Sequence, residues 1–158
     1  MSDGFKWQTE VEVVIRNLDG VVTERHTNQI QNPGLNYMAK SLISSTFDMK
    51  IRYMGYGPSS STGDVVCKVL GGAASSGESG RKAITSATSS ATGRVFTVCY
   101  LAPSEANEKI GELGWFAGSS ATATLDSGTL VGRSIGLNRT KTNIESITIT
   151  RTDILSTG

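Results

Sequence analysis

The first clear pattern along the chain is an alternation of period two. Trp7, Thr9, Val11, Val13 and Ile15 alternate with Gln8, Glu10, Glu12 and Arg16, the spacing of a strand with one face in a core and the other in water. Val14 alone breaks the polar face. Asn17-Leu18-Asp19-Gly20 supplies the next turn, because Asp and Gly accept the positive φ of a tight hairpin. Residues 21–30, with Val22, Thr23, Thr27 and Ile30, read as the returning strand.

The period changes at Asn32-Pro33. Asn caps free N–H groups, and Pro suits the first helical position because it lacks the donor that would go unpaired. Leu35, Met38, Ala39, Leu42 and Ile43 then share one helical face, with Asn36, Lys40 and Ser41 opposite, so a single short helix is predicted near residues 33–44. Residues 49–54 alternate again and run through Gly55-Tyr56-Gly57-Pro58 into a wide loop. Residues 64–70 read as a short strand or a helical turn.

Residues 71–80 are nearly all Gly, Ala and Ser and are expected to form a flexible loop or arm. Residues 94–101 are apolar on both faces, which predicts a central strand covered on each side. Residues 110–116, 129–135 and 144–150 complete a set of short strands. With one helix and no βαβ rhythm, the expected fold is all-β: an antiparallel sandwich or jelly-roll-like barrel in one domain over residues 1–158. Residues 1–6 read as an extended N-terminal arm. Heptads and internal repeats are absent from the sequence, so no fibrous shaft is expected.

Composition narrows the partners. The 158 residues suit one ordinary domain. Lys plus Arg number 15 against 14 Asp plus Glu, which leaves no global field to draw nucleic acid or an anionic membrane. Charged residues are only 18%, below the roughly 25% of an average domain, so Ser, Thr and Gly must cover much of the surface. Neutral protein partners are expected; nucleic acid, membrane and small-molecule ligands are not. The first residues do not read as a signal peptide, and no apolar run approaches the ~20 residues of a membrane span. The expected site of synthesis and assembly is the cytoplasm.

Candidate chemistry is sparse. His26 sits among Glu24, Arg25, Thr27 and Asn28 with no nucleophile motif, and reads as a solvated strand residue. Glu105, Glu108 and Glu112 are the densest carboxylates; near-neighbours beside Lys109 read as a solvated turn rather than a facing acid pair. Gly77-Glu78-Ser79-Gly80-Arg81-Lys82 lacks the Gly-Lys-Ser/Thr ending of a phosphate-binding loop. One His and two Cys do not make a zinc site, and Cys67 and Cys99 read as small buried hydrophobes rather than a disulfide. The Asn138-Arg139-Thr140 sequon is a chance match without secretion. No catalytic, metal or cofactor residue is assigned, and an enzyme is not expected. Trp115 and Tyr100 read as core residues. Trp7 and Tyr56 are left as a sugar platform or as interface anchors.

One ordered set of segments is more specific. Asn28-Gln29-Ile30-Gln31-Asn32-Pro33-Gly34-Leu35-Asn36-Tyr37-Met38-Ala39, Tyr53-Met54-Gly55-Tyr56-Gly57, Glu78 with Arg81 and Ile84, Ile110-Gly111-Glu112-Leu113-Gly114-Trp115-Phe116, Gly128-Thr129-Leu130-Val131-Gly132-Arg133, Thr140-Lys141-Thr142 and Ile147-Thr148-Ile149-Thr150-Arg151-Thr152-Asp153-Ile154 follow in that order. Together they resemble a group of small tailed-bacteriophage virion proteins: a GL..MA helix, a G.G loop, an I.ELG.F strand and an R…K…ITI ending. The chain departs from that pattern where residues 71–77 separate Leu70 from Glu78.

The resemblance implies a virion structural protein without catalytic residues. The expected role is a capsid decoration, or cement, protein: a homo-oligomer, a trimer by analogy, clamping the major capsid protein at the particle surface. Trp7, Tyr56, Ser76, Gly77 and Glu78 are the expected interface residues. A tail, baseplate or fibre-attachment adaptor is the alternative, and a carbohydrate-binding module the rival of another class.

Overall fold

The computed structural model describes residues 4–59, 69–70 and 77–157. In chain order the elements are β1 (Phe5–Asn17), β2 (Gly20–Thr27), β3 (Gln29–Ile30), α1 (Asn32–Ser41), β4 (Ile51–Gly57) and β5 (Gly80–Ala83). There follow β6 (Ser86–Ala91), β7 (Arg94–Leu101), β8 (Lys109–Ala117), β9 (Thr129–Thr140) and β10 (Ser146–Thr157). They form two five-stranded antiparallel sheets, ordered β2-β1-β10-β7-β6 and β3-β9-β8-β4-β5. This is the expected all-β sandwich with one short helix; the sheets do not close into a barrel.

The period-two pattern explains the first sheet. Val11, Val13 and Ile15 of β1 are buried, and β10 pairs with β1 from Phe5↔Thr157 to Arg16↔Ser146, burying Ile147 and Ile149 beside them. The hairpin turns at Gly20, whose φ of +136° favours glycine. Cys99 and Leu101 of β7, with Met54, Leu113 and Trp115 from the second sheet, complete the core between the sheets.

Several expectations are corrected. The predicted strand over 21–30 is two strands: β2 belongs to the first sheet and β3 to the second, with the change at Asn28. The opposite side of the sandwich repeats this. The Ile84 N–H donates to the Arg52 carbonyl in the second sheet, whereas the next N–H, of Thr85, donates to Val98 in the first. One chain segment thus leaves one sheet and enters the other within two residues.

Strand β7 is not covered on both sides. Thr97, Cys99 and Leu101 face the core, but Phe96 and Val98 are half-buried on the outer face and Tyr100 is 40% exposed there. Tyr100 is therefore not a core residue, although Trp115 is. The strand buried on both faces is β8, from Ile110 to Ala117. Its outer face carries Phe116 in a second cluster with Leu70, Ala121 and Leu130. Gly114 permits this approach, since a Cβ there would lie 2.6 Å from Leu70.

The helix docks on a different face from the one predicted. Gln31, not Asn32, is its N-cap, and the helix ends at Ser41. Gly34, Tyr37, Met38 and Ser41 face the sandwich, whereas Leu35, Leu42 and Ile43 are exposed. The reason is a close approach: a Cβ on Gly34 would lie 2.7 Å from the Val131 Cα, and the Gln31 N–H donates to the Val131 carbonyl at 2.9 Å. The smallest residue, not the largest, sets the face. Of the expected N-terminal arm, Phe5 and Lys6 lie inside β1, opposite Thr157 and Ser156. Residues 71–76 of the expected loop lie outside the described residues. Gly77 and Ser79 are tied down by N–H bonds to Leu70 and Tyr56.

Gly34→Ala is expected to destabilise the protein by about 1–3 kcal/mol by overpacking α1 against β9. Thermal melting, with hydrogen exchange at α1, checks both the size and the place of the effect.

Candidate docking site

Among the described residues, seven charged ones are buried: Glu78, Glu112, Arg133, Lys141, Glu145, Arg151 and Asp153; Glu112 is the one of them that the sequence places in a solvated turn. Glu112 of β8 and Arg133 of β9 pair at 2.5 Å with both side chains buried. Glu78 and Arg81 form a two-point pair at 2.5 and 3.0 Å, also buried. Arg81 Nη1 donates further to the Thr122 and Ser127 carbonyls and the Ser127 hydroxyl, and its guanidinium lies 4.0 Å from the Phe116 ring centroid. The Asp126 N–H closes the cluster by donating to Glu78. These bonds pin the loop over 118–128 onto the outer face of β8.

A third cluster brackets the far end of β9. Arg139 donates to Glu145 at 2.5 and 3.2 Å and holds its carboxyl below the ordinary carboxylate range. The Lys141 ammonium donates to Pro103 and Thr142 carbonyls and to Asn107 Oδ1, while burial lowers its pKa. The three clustered glutamates go separate ways: Glu105 bonds Lys82 on the surface, whereas Glu112 is inside. The His26 imidazole bonds Glu24 at 3.0 Å. Cys99 is buried and its thiol is pushed up to about 12, chiefly by desolvation; Cys67 lies outside the described residues. Among the described residues no group of three or more His, Cys, Asp or Glu is arranged to hold a metal.

Several described clefts have room for a partner, among them a charged one on the outer face of the first sheet beside Glu10, Glu12 and Arg25; the one lined mainly by apolar side chains lies at one end of the sandwich. There the inner face of the first sheet presents Trp7, Val95, Asp153 and Leu155, while α1 contributes Met38 and Ser41, and Leu42 follows at its C-cap. With Met49 and Ile51 at the entry of β4, they enclose a cleft of about 390 Å³. Its walls are apolar. At its floor Asp153 accepts bonds from Arg151 Nε and Nη2, at 2.9 and 2.6 Å, and from the Trp7 indole N–H at 2.8 Å. The guanidinium also lies 5.3 Å from the Trp115 ring centroid. The buried charge is neutralised in place, so the cleft reads as apolar to anything entering it. Leu42 and Ile43 beside it are 81% and 85% exposed, and Phe5, two residues before Trp7 on the same face, is 60% exposed.

The described ones among the five expected interface residues lie in different surroundings. Trp7 lines the cleft, with its N–H already bonded. Tyr56 is packed against the inter-sheet core with its hydroxyl end against Gly80, and burial raises its phenol pKa. Ser76 lies outside the described residues, the Gly77 carbonyl faces Gly57, and Glu78 is buried under Arg81. Sequence reading missed Arg151 and Asp153. Their signal was present: in β10 they continue the inward positions of Ile147 and Ile149, so the pleat carries charge into the core.

The chain matches no known protein family, no curated protein and no solved structure.

Two predictions follow from these clusters. Asp153→Ala leaves Arg151 buried without its partner and is expected to cost about 3–5 kcal/mol, whereas Trp7→Phe, which removes one hydrogen bond, is expected to cost about 1 kcal/mol; urea denaturation measures both. For Glu145 the folded carboxyl titrates below its unfolded value, so the Arg139 pair stabilises fully above the unfolded value. That stability is lost as pH falls through the folded one. The stability deficit of Glu145→Gln at neutral pH is therefore expected to shrink on acidification, as read from urea midpoints.

Proposed function

We propose that the chain is a structural subunit of a tailed-bacteriophage particle, assembled in the host cytoplasm and seated on the capsid surface as a decoration protein. The observation that carries this reading is the uncovered apolar end: a cleft of about 390 Å³ flanked by exposed Phe5, Leu42 and Ile43. The large exposed apolar side chains beside the cleft favour a protein partner, since contiguous exposed apolar surface marks interaction sites. Burying one such side chain against a neighbour contributes about 1.5–3 kcal/mol. The segment order described above, which resembles small virion proteins, supplies the class.

Two further features suit a structural subunit. The buried pairs Glu78–Arg81 and Glu112–Arg133 fasten the covering loop to the second sheet, and the polar surface is dominated by neutral Ser and Thr. Such a subunit acts by mass action: binding only to the assembled lattice adds its binding free energy to that state. Many weak copies accumulate the effect through avidity. A sugar-binding role is less well supported, because Trp7 spends its N–H on Asp153 and Tyr56 is packed on the core.

The test is copy number and heat resistance. Quantitative mass spectrometry of purified particles is expected to give a number comparable to the major capsid protein. Leu42→Asp with Ile43→Asp, both at exposed positions, is expected to leave the fold intact while lowering particle occupancy and the temperature at which particles open. A handful of copies per particle moves the chain to a tail or baseplate adaptor, and absence from particles overturns the reading.

A further inference from the structure

We infer that β6 is a self-pairing edge: two copies of the chain join antiparallel along Ser86–Thr88, about a twofold axis normal to the sheet. The two first sheets then become one continuous ten-stranded sheet, five strands from each copy. This goes beyond the proposed function and does not depend on which particle carries the chain.

The described sandwich has four edge strands, β2 and β6 in the first sheet and β3 and β5 in the second. An open edge offers a row of backbone donors and acceptors to any other strand, and proteins block it with charge, proline or shortness. Strand β3 has two residues. Strand β5 carries Arg81 and Lys82, and β2 carries Glu24, Arg25 and His26. Strand β6 has six residues, all exposed, with neither charge nor proline: Ser86, Ala87, Thr88, Ser89, Ser90 and Ala91. Among the described edges longer than two residues it is the one with neither charge nor proline; a β-bulge interrupts its pairing with β7 between Thr88 and Ala91, so the stretch open to a second copy is the regular ladder over Ser86–Thr88.

Self-pairing also suits its chemistry. A twofold axis sets a strand's residues against those of its own copy, so a charged residue at the axis meets a like charge. Ser, Thr and Ala meet no such penalty, and Ser/Thr pairs across strands form favourable contacts. The backbone is oriented for it. The Val98 carbonyl and the Tyr100 N–H both point toward β6, bonding Thr85. Val98 therefore spends its groups on β6, and its register partner Ser86, with Thr88 opposite Phe96, bonds inward. By alternation Ala87 presents its N–H and C=O outward. On the outer face, half-buried Phe96 and Val98 and exposed Tyr100 of β7 flank the proposed seam.

The test uses the purified full chain. Sedimentation equilibrium across a dilution series is expected to show a reversible dimer. Ala87→Pro removes the outward N–H without touching a bond to β7, and Thr88→Lys sets like charges beside the seam. Each is expected to weaken self-association by about tenfold or more while circular dichroism stays that of the parent. Thr23→Lys on the β2 edge is expected to leave the dimer unchanged. If Ala87→Pro disturbs folding, the exposed Thr88→Lys decides alone. A parent that is monomeric throughout, a trimer, a dimer that survives Thr88→Lys, or one that Thr23→Lys breaks would each overturn the inference.

Discussion

The structure depends on the burial of β8 on both faces. An antiparallel sheet commonly keeps one face wet, yet every residue from Ile110 to Ala117 is buried. Leu113 and Trp115 fill the space between the sheets, and Phe116 lies under a covering layer that includes Leu70 and Ala121. Once that layer is in place, the polar residues of the outer face must find partners beneath it. Glu112 pairs with Arg133, and Glu78 with Arg81, whose remaining donors hold the 118–128 loop down. Such pairs do not make a protein more stable than a well-packed apolar face would. Their effect is on geometry: the loop must return to one position for the charges to be satisfied.

That arrangement decides where the molecule can meet others. The outer face of the second sheet is occupied by its own loop. The surfaces left to partners are the Thr-rich outer face of the first sheet, its edges and the open end beside α1. The open end exists because α1 is held close by Gly34 against Val131, with Gln31 bonded to the same residue. A larger residue at position 34 would lift the helix and widen the cleft. The exposed Leu42 and Ile43 follow from the same contact, since docking through a glycine turns the large apolar residues outward.

β1 and β10 were legible because side-chain alternation is a direct record of the pleat, with Val14 the one break in β1; β5 and β6 were not expected, since Ser86–Ala91 is exposed throughout and carries no apolar alternation. The changes of sheet at Asn28 and between Ile84 and Thr85 were not legible, because they depend on which way successive N–H groups point, and side chains carry no such record. The helix existed where its period placed it, but its docked face was misread: hydrophobic periodicity weights Leu and Ile, while the contact was set by the absence of a side chain at Gly34. The surroundings of Glu78 were hidden for another reason. Glu78 in a Gly/Ser-rich segment looks solvated by composition, yet the distant loop that buries it is invisible to local reading. Arg151 and Asp153 were the converse case, readable from register alone.

Ala87 connects the two surfaces on which the functional proposals rest. Its side chain lines the apolar cleft beside Trp7, Val95 and Leu155, and by the alternation of β6 its backbone groups point away from β7. The edge strand is thus one wall of the cleft. An edge strand bonded on one side opens more readily than a strand bonded on both. A second copy paired along β6 would supply the missing bonds and hold that wall in place. Self-association and occupation of the cleft would then favour each other with no change of shape, because each orders a segment that the other needs ordered.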